Sequence, residues 1–164
     1  DRIKAKARAS IKHIVLPEGE EMRTIKAAST VVKEGIARLT MLGDPDKIRE
    51  MAGDISLDGI AIINPKTDSK APLYAEKLYE LRKAKGMTPE KATELVADPM
   101  YYGIMMLKLD DADGLVSGAV HSTGDMLRPA LQVLKTKPGL KAVSSCFLME
   151  CPNHDLGEDG VFVF

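Results

Sequence analysis

Short apolar runs alternate along this chain with longer stretches in which apolar residues return every three or four positions. The short runs are HIVLP (13–17), ARLTML (37–42), GIAIINP (59–65), DGLVSG (113–118) and AVSSCFLM (142–149). Each has the length and side-chain types of a strand, and strands separated by helical patterns predict an α/β fold with a mostly parallel sheet and helices on both faces. Between the first two runs, Met22, Ile25, Ala28 and Val32 form an apolar stripe that ends at Gly35, a helix able to lie on one sheet face.

Helix boundaries are legible in several places. DPDKIREMAG (44–53) has Asp44 as a cap, Pro45 at the first helical position and Gly53 past the end. From 70 to 109 the pattern is helical throughout: Tyr74, Leu78 and Leu81 form a stripe, Gly86 interrupts, Thr88 caps TPEKATELVA, and PMYYGIMMLKL follows Asp98. The methionines of that last stretch read as core packing. GVFVF (160–164) reads as a central strand left uncovered, so the expectation is a longer parent protein.

Composition narrows the functional classes. The chain has 164 residues, with 23 Lys plus Arg against 24 Asp plus Glu for a net charge of -1, so no basic stripe suggests a nucleic-acid partner. No apolar run is long enough for a membrane span or a secretory signal, which points to the cytoplasm. Cys146 and Cys151 are separated by four residues of a largely apolar stretch with His154 beyond, and read as reduced thiols, one of them in a buried strand, rather than a zinc site. LPEGEEMRT (16–24) turns from strand to helix at Gly19, but the chain has no GxGxxG, P-loop or HExxH motif. His13, His121 and His154 stand in no metal-ligand or triad pattern.

The segment GLVSGAVHSTGDMLRPALQ (114–132) attracts most interest. A strand runs into a turn with Gly118 and Gly124 and then into a helix, at the carboxyl edge where open α/β sheets take ligands. Ser122 and Thr123 are placed to cap the helix and to leave further N–H groups for an anion such as phosphate. Pro129 fits a first helical turn, which makes Asp125 or Arg128 the expected cap. Arg128 can grip phosphate with its planar fork or pair with Asp125 three residues earlier. Arg82 in YELRKAKG has no carboxylate at three or four residues' distance; with Lys83 and Lys85 it can face a polyanion or complement the helix dipole.

Together the stretches IKHIVLPEGEEMRTIKAA, YELRKAKGMT, ADPMYYGIMML, ADGLVSGAVHSTGDMLRPALQ and GVFVF resemble the amino-terminal part of phosphate acetyltransferases over nearly the whole chain. That resemblance implies two domains of isopropylmalate-dehydrogenase-like architecture, truncated here to residues 1–164 of the first, and commonly a homodimer. It implies reversible transfer of an acetyl group between coenzyme A and phosphate, giving acetyl phosphate, with coenzyme A as a substrate, no bound cofactor and no metal. Arg82 and Arg128 match the arginines implicated in coenzyme A or phosphate recognition, and Ser122 and Thr123 belong to the same motif. The base, a serine and a further arginine belong to a carboxyl-terminal half, so residues 1–164 alone are expected to be inactive. Phosphate butyryltransferases and the acetyl-coenzyme A-responsive modules fused to malic enzymes are the alternatives the same resemblance leaves open.

Overall fold

A computed structural model describes residues 2–155, 157, 158 and 160–164. Its centre is a parallel sheet of β1 (Lys12–Leu16), β2 (Ala37–Leu42), β3 (Ile60–Ile63) and β4 (Gly114–Leu115), in the order β3-β2-β1-β4. Register follows from the pleat: Ile14 pairs with Leu39 and Gly114, and Leu39 with Ile60. Because successive strand residues point to opposite faces, Ile14, Leu16, Leu39, Met41, Ile60 and Ile62 form one core, while Val15, Leu42, Ile63 and Leu115 belong to another.

The first core is closed by α2 (Met22–Lys33) through Ile25 and Ala28 and by α3 (Pro45–Ala52) through Ile48 and Ala52. The other is closed by α4 (Ala71–Arg82), α5 (Pro89–Val96), α6 (Pro99–Lys108) and α7 (Thr123–Val133). Helices on both faces match the expectation. So do the caps Asp44 and Thr88, each accepting backbone N–H bonds at its helix start, and Asp98 caps α6 in the same way. The methionine-rich helix is core: Met100, Met105 and Met106 are buried beside Tyr102 and Ile104. Gly103 lets α6 lie against the strands, since a Cβ there would stand 2.7 Å from Leu115 Cδ1 and 3.3 Å from Val15 Cγ1.

The preceding helix α1 (Arg2–Ala9) buries nothing and is tied to Glu34, with Lys4 Nζ 2.7 Å from its carboxylate and Arg8 Nε donating to its carbonyl at 2.7 Å.

Several expectations are corrected. The strand predicted over 142–149 shrinks to β5 (Leu148–Glu150), and the terminal apolar run becomes β6 (Val161–Val163), its antiparallel partner, so neither joins the parallel sheet and neither is central. Apolar alternation states that a segment pairs but not with what, and a partner strand close by in sequence is the cheaper closure. Cys146 is accordingly exposed and Cys151 partly exposed, not buried in a strand. Leu81 is 39% exposed, and the inward stripe of α4 is Tyr74, Ala75 and Leu78 instead. Among the described residues no helix is long and apolar enough to cross a membrane, and no group of three or more His, Cys, Asp and Glu could hold a metal ion.

Candidate functional site

All four parallel strands end on one side, and the loops leaving them surround a crevice of about 410 Å³ lined among others by Pro17, Glu18, Glu20, Asp44, Lys47, Asn64, Lys66 and His121. Glu20 fixes one rim, accepting from Asp44 N at 2.9 Å, with Lys47 Nζ 3.5 Å away. Arg23, at the start of α2, bridges to the opposite rim by donating to the Ala119 carbonyl at 2.7 Å.

Glu18, just past β1, is the buried charge of the crevice, its side chain 3% exposed. One carboxylate oxygen accepts the N–H of Gly118 (2.9 Å) and Ala119 (2.8 Å); the other accepts those of Val120 and His121 and meets His121 Nδ1, all at 2.8 Å. Burial by itself raises a carboxyl's pKa; the backbone donors of Val120, His121 and Ala119, together with the His121 ring, outweigh it and hold Glu18 far below the usual carboxylate range. The turn therefore wraps a permanent anion. Gly118 makes that possible with φ 121°, a conformation that side-chain-bearing residues rarely adopt.

Directly after this turn, Ser122 caps α7: its hydroxyl accepts from Asp125 N at 3.3 Å and donates to Asp125 Oδ2 at 2.7 Å. The helix thus begins before the expected Asp125 or Arg128, and Pro129 lies inside it, buried. Ser122 supplies a start strong enough to override the preference against helix before proline, and the apolar ring is held in the core. Asp125, turned to Ser122, makes no ion pair with Arg128; the guanidinium only lowers its pKa through space, behind the hydrogen bond from Ser122. Thr123 and Gly124, the first residues of the helix, keep N–H groups with no partner among the described residues, and the Thr123 hydroxyl has none there either.

Arg128 is exposed on the rim of a second cavity of about 410 Å³ between α5, α6 and α7, lined also by Glu94, Asp98, Tyr101, Asp125 and His121. His121 borders both cavities. Arg82, at the last position of α4, is half-buried, and its Nε is buried without a hydrogen-bond partner among the described residues. The two arginines meet electrostatically at Tyr101. Burial pushes that hydroxyl's pKa up, while the positive charges of Arg128, Arg82 and Lys91 oppose the rise and Asp98 adds to it. Tyr101 itself donates to Gln132 Oε1 at 3.0 Å. Arg82 and Arg128 thus both act on Tyr101 near the α6–α7 junction, while Lys91 is itself paired with Glu94 at 2.9 Å.

Sequence reasoning named Arg82, Arg128, Ser122 and Thr123 and missed Glu18, Lys91 and Tyr101. Glu18 reaches partners 100 to 103 positions away, a distance at which no local spacing rule operates. The glycine-bearing turn was visible, but not that its donors were already filled. Tyr101 reads on sequence as one more ring of an apolar helix.

Fold and site define an α/β unit that presents Arg82, Arg128 and open helix-terminal donors beside the carboxyl edge of a parallel sheet. The chain belongs to the phosphate acetyl/butaryl transferase family, whose sequence model matches residues 1–164. It is 55% identical over 159 residues to a phosphate acetyltransferase of Thermoanaerobacterium thermosaccharolyticum, covering 97% of this chain and 48% of that protein. With a phosphate acetyltransferase of Acetivibrio thermocellus the identity is 51% over 164 residues, all of this chain and 49% of the relative. A solved phosphotransacetylase from Streptococcus pyogenes superposes with a TM-score of 0.90 at 36% identity, over 99% of this chain and 49% of its own. The chain spans about half the length of the relatives it matches.

Proposed function

We propose that this chain forms the coenzyme-holding part of an enzyme that moves an acetyl group between coenzyme A and phosphate. Arg82 and Arg128 hold phosphate groups of coenzyme A or the transferred phosphate, and Ser122 and Thr123 offer the start of α7 to the same ligand. The observation that carries this reading is the Arg82 Nε: a buried donor with no partner among the described residues, on a guanidinium that acts together with Arg128 on Tyr101, lacks an acceptor that a phosphate-rich ligand supplies. The family covers both acetyl and butyryl transfer, and the phosphate acetyltransferase relatives support acetyl as the acyl group.

In the reaction the coenzyme thiol, deprotonated by a carboxylate, attacks the carbonyl carbon of acetyl phosphate. A sulfur–carbon bond forms, the bond from carbon to the bridging oxygen breaks, and phosphate leaves with the electron pair. Positioning and charge stabilisation are sufficient for such a step, without a metal or resident cofactor. Residues 1–164 are the amino-terminal α/β portion, and the base belongs to the remainder of a longer cytoplasmic protein that works as a homodimer.

The test is steady-state kinetics of the full-length protein with acetyl phosphate and coenzyme A. Arg82→Ala and Arg128→Ala each raise KM for coenzyme A by roughly 30-fold, equivalent to about 2 kcal/mol for a lost charge-assisted hydrogen bond. An unchanged KM in both variants overturns the assignment, and faster turnover of butyryl than of acetyl phosphate overturns the acyl group.

A further inference from the structure

Glu18 has no part in the acyl transfer just described, yet it is the most thoroughly coordinated side chain of the crevice. Its carboxylate accepts four consecutive backbone N–H groups, from Gly118 to His121, and contacts the His121 ring. These donors converge as they would on a bound anion, and an internal carboxylate fills the place. Residue 122 then begins α7, so the direction in which the helix leaves the sheet, and where it carries Thr123 and Arg128, follows from how the turn sits on Glu18.

We infer that Glu18 is a positioning residue: its carboxylate pre-forms the 118–121 turn, aims the His121 ring between the two cavities, and sets the start of α7 so that Thr123 and Arg128 face a phosphate-bearing ligand. The inference rests on the proposal that Arg128 holds such a ligand. Two features single Glu18 out from a merely structural ion. First, it connects the loop after β1 to the loop after β4, adjacent strands whose ladder is short, Ile14 pairing with Gly114 and Val15 with Leu115. Backbone pairing alone therefore gives little control beyond Leu115. Second, the atoms it orders lead directly into the unsatisfied donors of Thr123 and Gly124. Arg23, which donates to the Ala119 carbonyl, holds the outer side of the same turn.

The discriminating variant is Glu18→Gln in the full-length protein. The shapes match, but whichever way the amide is turned, its NH2 group faces at least two N–H donors that a carboxylate oxygen had accepted. Two readouts are paired: the split between KM for coenzyme A and kcat, and backbone amide exchange over residues 117–124 of the ligand-free protein. A positioning role predicts faster exchange in that segment and a KM for coenzyme A raised roughly tenfold, equivalent to about 1.4 kcal/mol. A structural role only lowers the folded fraction, hence the apparent kcat, and leaves KM alone.

Should Glu18→Gln fail to fold, Glu18→Asp is read the same way, the retained charge protecting the fold while the shorter arm pulls the turn. An unchanged KM in whichever variant folds, with or without faster exchange, overturns the inference. Arg128→Ala separates this from the underlying proposal: if it raises KM and the Glu18 variants do not, only the role of Glu18 falls. If Arg128→Ala leaves KM unchanged, the ligand assignment falls, and amide exchange then reports on the turn alone.

Discussion

Two neighbouring pieces of one loop handle backbone donors in opposite ways. In the turn 118–121 all four N–H groups end on the Glu18 carboxylate. A residue further on, the start of α7 has Ser122 bonded to its own helix at Asp125, while among the described residues Thr123 and Gly124 keep free N–H groups and Arg128 has no ion-pair partner. A satisfied buried group fixes a conformation, whereas an unsatisfied one at the surface leaves binding capacity. Side by side, they describe a rigid base and an open receiving end.

Several substitutions sharpen or break that contrast. The largest effect on stability belongs to Glu18→Gln, which leaves buried N–H groups facing an amide; the expected loss is about 3 kcal/mol in chemical denaturation. Its pH dependence is equally specific. The Glu18 pKa is depressed in the folded state, so the unfolded chain binds the extra proton. The contribution is complete above the unfolded value of 4.5 and erodes as pH falls below it, towards the depressed folded value. Wild-type stability therefore falls between neutral pH and strong acid more steeply than that of Glu18→Gln, and parallel slopes across that range break the account.

Next in size is Ser122→Ala, which removes a helix cap and lowers stability by about 1 kcal/mol in thermal melts, against no change if the cap is ornamental. Smallest is Thr123→Ala, within about 0.5 kcal/mol of wild type in stability because its hydroxyl holds nothing in the chain. It raises KM for coenzyme A all the same, and an effect confined to stability would reverse the contrast.

The sheet was largely legible in the sequence because periodicity two over buried strands and periodicity three to four over helices are local signals. The runs at 13–17, 37–42 and 59–65 correspond to β1, β2 and β3 within a few residues. Caps at Asp44 and Thr88 are local too, and they hold. What failed depends on partners distant in the chain. The 142–149 run looks like a sheet strand until the choice between the parallel sheet and β6 is made, and that choice leaves no mark in the run itself. Pro129 marks a helix start only if nothing upstream caps the helix, and Ser122 does.

The site was half legible. Arg82 stands out by lacking a carboxylate three or four residues away, and among the described residues its Nε is unpaired; Arg128 stands out by its place after the glycine-bearing turn, although Asp125 is near it in sequence. Glu18 had no distinguishing mark among the acidic residues of LPEGEEMRT; its role exists only once β1 and β4 are adjacent. Tyr101 was hidden in the same way, since the side chain that gathers the influence of Arg82, Lys91 and Arg128 is a helix residue like its neighbour Tyr102, which bonds Asp68 instead.

The most direct measurement is the dissociation constant of coenzyme A from the full-length protein, by calorimetry at low and moderate salt, for wild type, Arg82→Ala and Arg128→Ala. If both guanidiniums serve one phosphate-rich ligand, each variant binds roughly 30-fold more weakly at low salt and shows a shallower salt dependence than wild type. Wild-type affinity and salt dependence in either variant would contradict a shared site.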